Sequence, residues 1–364
     1  MRVLVAGDGH SELHEAPVCG AFKTLGHEVH HFFWFQYFTG RAGNFAPLQR
    51  VLSRCQNKFL VGPIVDRLNA DLIHSVETIR PDLVFIYRGT HIKRETLRAI
   101  KHRAPSSVVI GYNNDDPFAR GHPFWLWRHF LASLAEYDLV LAYRHHNVDD
   151  FLRAGAKQVR LLRSWFVSER NHPVVLSSED QAKFGCDVVF VGHYEPDQRV
   201  ECLEEIVKQG FSLKLYGPGY DWDPVIAKSP WLRQLSPVQL VWGEDYNKAL
   251  CGAKVALCFL SKLNRDTYTR RCFEIPSTKT LMFSEYSDDL ASLYKEGTEA
   301  EFFRSKSELL AKLQTYVASD QQRDSVAQAG HQRVIADGHD VVSRMRQVLQ
   351  WAGSLLPNEK LVCV

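Results

Sequence analysis

The sequence carries almost no net charge. Its 364 residues hold 44 lysines and arginines against 42 aspartates and glutamates, a formal balance of +2. A nucleic-acid-binding domain would show a strong basic excess, so no nucleic-acid partner is expected. A local basic patch facing an anionic substrate stays compatible with that balance. Cysteine pairing is missing too: Cys19, Cys55, Cys186, Cys202, Cys251, Cys258, Cys272 and Cys363 form no CxxC spacing. Most sit in apolar stretches, which reads as buried thiols in a reducing compartment rather than a disulfide frame or a zinc site. No apolar run approaches the length of a membrane span. Met1 leads directly into a strand pattern, without the segmented look of a signal peptide. Cytoplasmic residence is the expectation, with peripheral membrane contact left open.

What the sequence does have is alternation. Hydrophobic residues make up 45% of the chain, enough for well-packed cores, and the length suits two domains. Short β-branched runs alternate with helical patterns from Arg2 to Leu162. The pattern fails between Ser164 and Gly185 and resumes at Cys186. Strands are expected at 186–191, 212–216, 239–242, 254–259, 280–284 and 300–303. Such alternation predicts parallel sheets covered by helices. The expected fold class is α/β: two Rossmann-like doubly wound domains facing a central cleft. Residues 1–165 would form the first domain, 166–185 a linker and 186–340 the second domain. A terminal helix, 341–356, carries the apolar stripe Val341, Val342, Met345, Val348, Leu349 and Ala352.

The densest chemistry lies between Asn264 and Glu285. Asp266 and Glu274 are carboxylates seven residues apart, and Glu274 falls in the first turn of a helix. Arg265, Arg270 and Arg271 crowd the same stretch. Guanidinium groups at a helix start suit a pyrophosphate, and a carboxylate there can accept hydrogen bonds from ribose hydroxyls. The plain alternative is a solvated loop with a capping glutamate.

Arg271-Cys272-Phe273-Glu274-Ile275-Pro276 resembles a stretch of the CgeB-like (spore-maturation-type) glycosyltransferases, relatives of the large retaining glycosyltransferase family 4. The resemblance implies the GT-B architecture, with the acceptor on the first domain and a nucleotide sugar on the second. It implies that Glu274 binds the donor ribose, that Phe273 lies beside it, and that Asp266 takes the place of a first acidic residue. It aligns Gly192 and His193 with a phosphate-facing turn, followed by Arg199. It also aligns Tyr216, Gly217 and Gly219 with a turn near the base. Relatives usually have glycine where this chain has Lys279, which is expected to point at a phosphate or to mark a rebuilt turn. The same resemblance implies a last helix that crosses back to the first domain.

In the first domain Gly7-Asp8-Gly9-His10 only partly matches a dinucleotide fingerprint. Gly9 and His10 are expected to line the acceptor side, with Asn114, Asp115 and Asp116 after the fourth strand. A turn and helix cap is the alternative for the two aspartates. His145-His146 lacks a nameable third ligand, so no metal is expected. The aromatic runs 32–38 and 124–127 read mainly as core, with some rings past the strand end free to meet a sugar or a lipid carrier.

The resulting expectation is a glycosyltransferase that moves a sugar from a nucleotide-sugar donor to a glycan, lipid-linked or small-molecule acceptor, with retention of configuration. Arg271, Arg270, Asp266 and His10 are the expected catalytic set. Glu274, Gly192, His193, Arg199, Tyr216, Gly217, Gly219, Arg265, Phe273 and Lys279 are the expected donor contacts. No cofactor beyond the donor substrate is expected. The rival expectations are a sugar-nucleotide epimerase of the same architecture and a non-catalytic nucleotide-sugar-binding relative.

Overall fold

The computed structural model describes residues 1–10, 12–39 and 47–356. The chain divides into two compact units, Met1–Arg163 with Val341–Val364, and Ser164–Asp340. The first begins with β1 (Arg2–Gly7), in which Val3 to Ala6 are fully buried. A strand with helices on both faces needs no polar alternation, which explains the continuous apolar run. Then follow α1 (Glu15–Thr24), β2 (Glu28–Phe33), α2 (Phe35–Thr39), α3 (Pro47–Phe59) and α4 (Pro63–Ile79). Gly62 precedes α4 at φ 108, which only glycine adopts readily, and Pro63 occupies the first helical turn, where its missing N–H costs nothing. β3 (Leu83–Tyr87), α5 (Arg94–Arg103), β4 (Val108–Asn113), α6 (Arg128–Ala132), β5 (Leu139–Ala142), α7 (His145–Arg153) and β6 (Val159–Leu161) complete the array. The six strands run parallel in the order β2-β1-β3-β4-β5-β6, with Val5 opposite His31 on one side and Phe85 on the other.

The second unit holds α8 (Ser178–Phe184), β7 (Cys186–Val191), α9 (Arg199–Lys208), β8 (Leu213–Tyr216), α10 (Gly219–Ile226), α11 (Gly243–Cys251) and β9 (Ala253–Cys258). It continues with α12 (Arg271–Ser277), β10 (Leu281–Glu285), α13 (Asp288–Leu293), β11 (Glu301–Phe303), α14 (Lys306–Ala318) and α15 (Asp320–Ala336). Its five strands are also parallel, in the order β11-β10-β9-β7-β8. Ser177, Ser287, Ser305 and Ser319 cap α8, α13, α14 and α15, each hydroxyl accepting an N–H from the first turn. Each sheet buries its own apolar cluster, one around Leu4, Val84 and Phe151 and the other around Val188, Leu257 and Phe283.

α16 (Val341–Leu355) rejoins the first unit, packing on α1 and β4 through buried Val341, Met345, Val348 and Ala352. Val342 and Leu349, expected in the same stripe, are half-buried. Among the described residues no helix is long and apolar enough to cross a membrane.

Two expectations need correction. Gln239–Trp242 forms no strand; Gln239 makes one isolated bridge to Tyr216, and Leu240 and Trp242 are exposed. Its apolar residues imitated a strand while facing solvent. The segment 166–185 is not a free linker, since it belongs to the second unit. Phe166 bridges Asp340, Asn247 exchanges hydrogen bonds with the His172 backbone, and Lys248 pairs with Asp180 on α8.

Candidate functional site

Both sheets have the same wiring: the first strand lies between the second and the third, so successive connections leave it in opposite directions. Ligands of open α/β sheets sit beyond the carboxyl ends of the strands at that reversal. In the second unit the reversal falls between β7 and β9. β7 is followed by Gly192, whose N–H donates to the Tyr216 carbonyl on β8 at 2.9 Å. A β-carbon on Gly192 would lie 3.3 Å from the Arg271 guanidinium carbon and 2.9 Å from the Phe190 ring. The missing side chain therefore makes room for Arg271, the first residue of α12. Gly217 is equally constrained, because its β-carbon would come within 2.2 Å of the Gly192 carbonyl oxygen. The Trp222 indole N–H donates to that same oxygen at 2.8 Å. Two glycine turns and one arginine thus form a single surface at the edge of the sheet.

Glu274 lies one turn further along α12 and is buried. One of its oxygens, Oε2, accepts a hydrogen bond from the Tyr246 hydroxyl of α11 at 2.6 Å. Among the described residues no partner engages Oε1. Burial, and then the Glu274 carboxylate, push the Tyr246 phenol well above its ordinary pKa, while Arg271 and Arg270 oppose the shift. Burial would lower the Arg271 guanidinium, but Cys258, Tyr246 and Glu274 more than offset it, so Arg271 stays charged. Behind them the Cys258 and Cys272 sulfurs lie 3.5 Å apart and fully buried. The hydrogen bond from Cys272, with help from Arg271, lowers Cys258 against the effect of burial; burial first, and then Cys258, raise Cys272. Glu285, at the end of β10, accepts from the Leu260 N–H at 2.6 Å and the Gln198 amide at 2.9 Å, tying the loops after β9 and before α9 together.

Several expected donor contacts do other work. Arg199 is buried and spends its guanidinium on both oxygens of Asp197, at 2.7 Å each, and on the His193 carbonyl at 2.6 Å. It fixes the loop after β7 and has little left for a phosphate. Phe273 is fully buried between Tyr268 and His339, stacked on the latter at 4.3 Å, so it anchors α12 in the core. Lys279 lies at the far end of α12, at φ 61, and is exposed. That is the left-handed position that usually ends a helix with glycine, and a side chain there costs about 1 kcal/mol. His193 is exposed and pairs with Asp221 at 3.0 Å. Gly219 opens α10 against the Val238 carbonyl, and Tyr216 ends β8 half-buried. Arg265 stands exposed at φ 50 in the loop before α12, and the half-buried Asp266 donates its N–H to the Ser261 carbonyl at 2.8 Å.

In the first unit the equivalent edge gathers the ends of β1, β3, β4 and β5. Gly9 stands at φ 72 with the Phe33 ring where a β-carbon would be, and His10 is exposed against Asp8 at 2.8 Å. Buried Glu15 accepts the Asp8 N–H at 2.9 Å; burial raises its pKa. The Asn113 and Asp116 side chains accept backbone N–H groups two residues on, so this segment is a pair of tight turns. Asp115 pairs with Arg88 at 2.6 Å, and the Asn114 carbonyl accepts from buried Arg144 at 3.3 Å. Among the described residues one group could hold a cation: Asp116, His146 and Asp150, with ligand atoms within 4.8 Å of one another. The Asn147 amide already serves both carboxylates and Arg153 serves Asp150. In the aromatic runs Trp34 and Trp127 are core, whereas Phe35 and Phe124 are exposed. Of the cysteines Cys55 is exposed, contrary to expectation, and Cys363 lies outside the described residues.

Tyr246, Glu15 and Arg88 were missed by the sequence reading; Glu285 closed the stretch singled out there but was given no role of its own.

Residues 198–350 match the model of a family described as glycosyl transferase-like. Among curated proteins no sequence matches this chain. Sucrose-phosphate synthase from Thermosynechococcus elongatus superposes with a TM-score of 0.69 at 11% identity, covering 98% of this chain and 99% of that one. Anabaena Alr3699/HepE in complex with UDP-glucose gives 0.64 at 13%, covering 97% and 100%. A putative UDP-N-acetylglucosamine 2-epimerase from Listeria monocytogenes gives 0.56 at 11%, covering 96% and 94%. The two parallel sheets with their covering helices share the fold of GT-B glycosyltransferase structures.

Proposed function

We propose that this chain is a glycosyltransferase whose second unit binds a nucleotide sugar through the Gly192 turn, Arg271 and Glu274. The observation that carries this reading is the place of Arg271: a charged guanidinium, mostly packed in by protein, against a glycine turn at the reversal point of a parallel sheet. Such a cation suits a pyrophosphate, and the neighbouring Glu274 Oε1 suits a ribose hydroxyl. In the reaction the bond between the sugar's anomeric carbon and the phosphate oxygen breaks, the acceptor hydroxyl oxygen forms the new bond, and its proton passes to the departing diphosphate. Arg271 and Arg270 stabilise the negative charge that collects on the departing nucleoside diphosphate. The acceptor, a glycan, lipid-linked sugar or small molecule, would be held by the first unit, and the family resemblance favours retention of configuration. UDP-glucose is the first donor to try, since HepE was solved with it. The test is incubation with UDP-glucose and a panel of glycan acceptors, with products read by mass spectrometry and anomeric NMR. UDP release coupled to a glycosylated acceptor is expected. A failure of UDP-glucose and other nucleotide sugars to bind would defeat the reading.

The fold shared with a putative 2-epimerase favours a second reading, epimerisation of the sugar nucleotide itself. An epimer formed from UDP-N-acetylglucosamine without acceptor would establish it.

A further inference from the structure

A cavity of about 310 Å³ opens on the opposite edge of the second sheet from Arg271 and the Gly192 turn. It is lined where β9 and β10 begin, at Ala253, Lys254 and Leu281, and where α12 ends, at Thr278 and Lys279, with Arg323 of α15 facing the same space. β9 is six residues long, so about 20 Å separates the two edges. Lys279 stands there in the left-handed backbone region that disfavours side chains. Strain of that kind persists where a side chain is needed at a particular place. Lys254 lies 2.8 Å from Asp187, and Arg323 shares Asp320 and Asp324 at 2.7 and 3.2 Å. Among the described residues no carboxylate pairs with Lys279. A lysine after a helix also complements the helix carbonyls, so its charge alone needs no ligand. Three cations from separate elements, with Asp324 as the one carboxylate among them, line a single cavity of small-molecule size, which goes further than that.

We propose that this cavity is a second binding site, for a small phosphate-bearing metabolite, gripped by Lys279, Lys254 and Arg323. The ligand is coupled to the donor site through α12, which is buried from Cys272 to Ser277 and whose last turn, starting at Glu274, leads into Thr278 and Lys279 at the cavity. The binding site stands on the cavity alone, whereas the coupling rests on the glycosyltransferase reading above.

The experiment uses the full chain with inorganic phosphate as probe, at ionic strength matched with chloride. A saturable rise in melting temperature is expected for the wild type and for Arg271→Ala, and none for Lys279→Gly. Lys279→Gly will fold, because glycine suits its backbone, and its melting temperature without phosphate should equal or exceed that of the wild type. UDP-glucose titrated with and without saturating phosphate should show at least a roughly threefold change in affinity that Lys279→Gly abolishes. The site is overturned if phosphate gives no saturable shift, or if Arg271→Ala loses the shift while Lys279→Gly keeps it. A phosphate response with no UDP-glucose binding would leave the site standing and remove the donor reading. Donor binding indifferent to bound phosphate would remove the coupling alone.

Discussion

The Arg271 guanidinium carbon lies 3.3 Å from the point where a β-carbon on Gly192 would be. The arginine therefore depends on an absent side chain at the end of a different element, β7. Gly192→Ala should displace it, since the new carbon would also lie only 2.9 Å from the buried Phe190 ring. The backbone at Gly192 is outside the left-handed region, so the fold should survive. A loss of about tenfold in nucleotide-sugar affinity, roughly 1.4 kcal/mol, is expected by calorimetry with UDP-glucose. Unchanged affinity with unchanged circular dichroism would show that Arg271 does not touch the donor.

Glu274 and Tyr246 should act as a pair. Glu274→Ala removes the proposed ribose acceptor and should weaken donor binding by about 1–3 kcal/mol. Tyr246→Phe removes the 2.6 Å hydrogen bond that holds the carboxylate and should cost less, because the carboxylate remains. The double variant should lose less than the sum of the two single losses. Strict additivity in the titrations would mean that Tyr246 does not position Glu274.

His91 gives the first unit a pH dependence. Its ring is buried beside Trp34 and Phe38, bonded to Thr90 at 3.0 Å and Asn57 at 2.9 Å. Burial first, and then the charges of His129 and Arg88, pull its pKa from 6.5 down to about 3. Below 6.5 the unfolded chain takes up a proton that the folded chain refuses. The stability contributed by neutral His91 is therefore complete above about pH 6.5 and falls toward pH 3, by about 1.4 kcal/mol per pH unit. Urea unfolding of wild type and His91→Gln across this window should show a shallower slope for the variant. Equal slopes would refute the assignment.

Transfer should survive chelation. Cationic side chains supply the charge at the proposed pyrophosphate site, so exhaustive EDTA treatment should leave at least about half of the activity. If EDTA abolishes turnover and Mg²⁺ or Mn²⁺ restores it, Asp116, His146 and Asp150 are the residues to substitute first.

The strands were legible in the sequence because a buried parallel strand is a short apolar run ended by a turn residue, as Arg2–Gly7 and Cys186–Val191 show. Gln239–Trp242 is an apolar run of the same kind, and only its single bridge and its exposed Leu240 and Trp242 tell it apart. The 271–276 stretch was legible as chemistry, but not as geometry. Phe273 and Glu274 are neighbours in sequence that point into different surroundings, one stacked on His339 and the other held by Tyr246. Tyr246 lies 28 residues before Glu274 with no local signal, so only the pairing of α11 with α12 reveals it. Arg199 looked like a phosphate ligand because composition cannot show that Asp197 and the His193 carbonyl already use its donors. Lys279 looked like a phosphate ligand beside Glu274 because five residues is a short step in sequence, yet it follows the last turn of α12 and lines the cavity where β9 and β10 begin.

α16 belongs to a unit whose other elements ended at Arg163. A ribosome making this chain releases all of the second unit before the last piece of the first emerges. Until then α1 and β4 lack the cover that Val341, Met345, Val348 and Ala352 provide. The nascent chain must therefore hold an unfinished first unit while the second one folds, and premature termination ahead of Val341 would strand it permanently. β4 and α1, made before the whole second unit, are thus sealed only after that unit has been made.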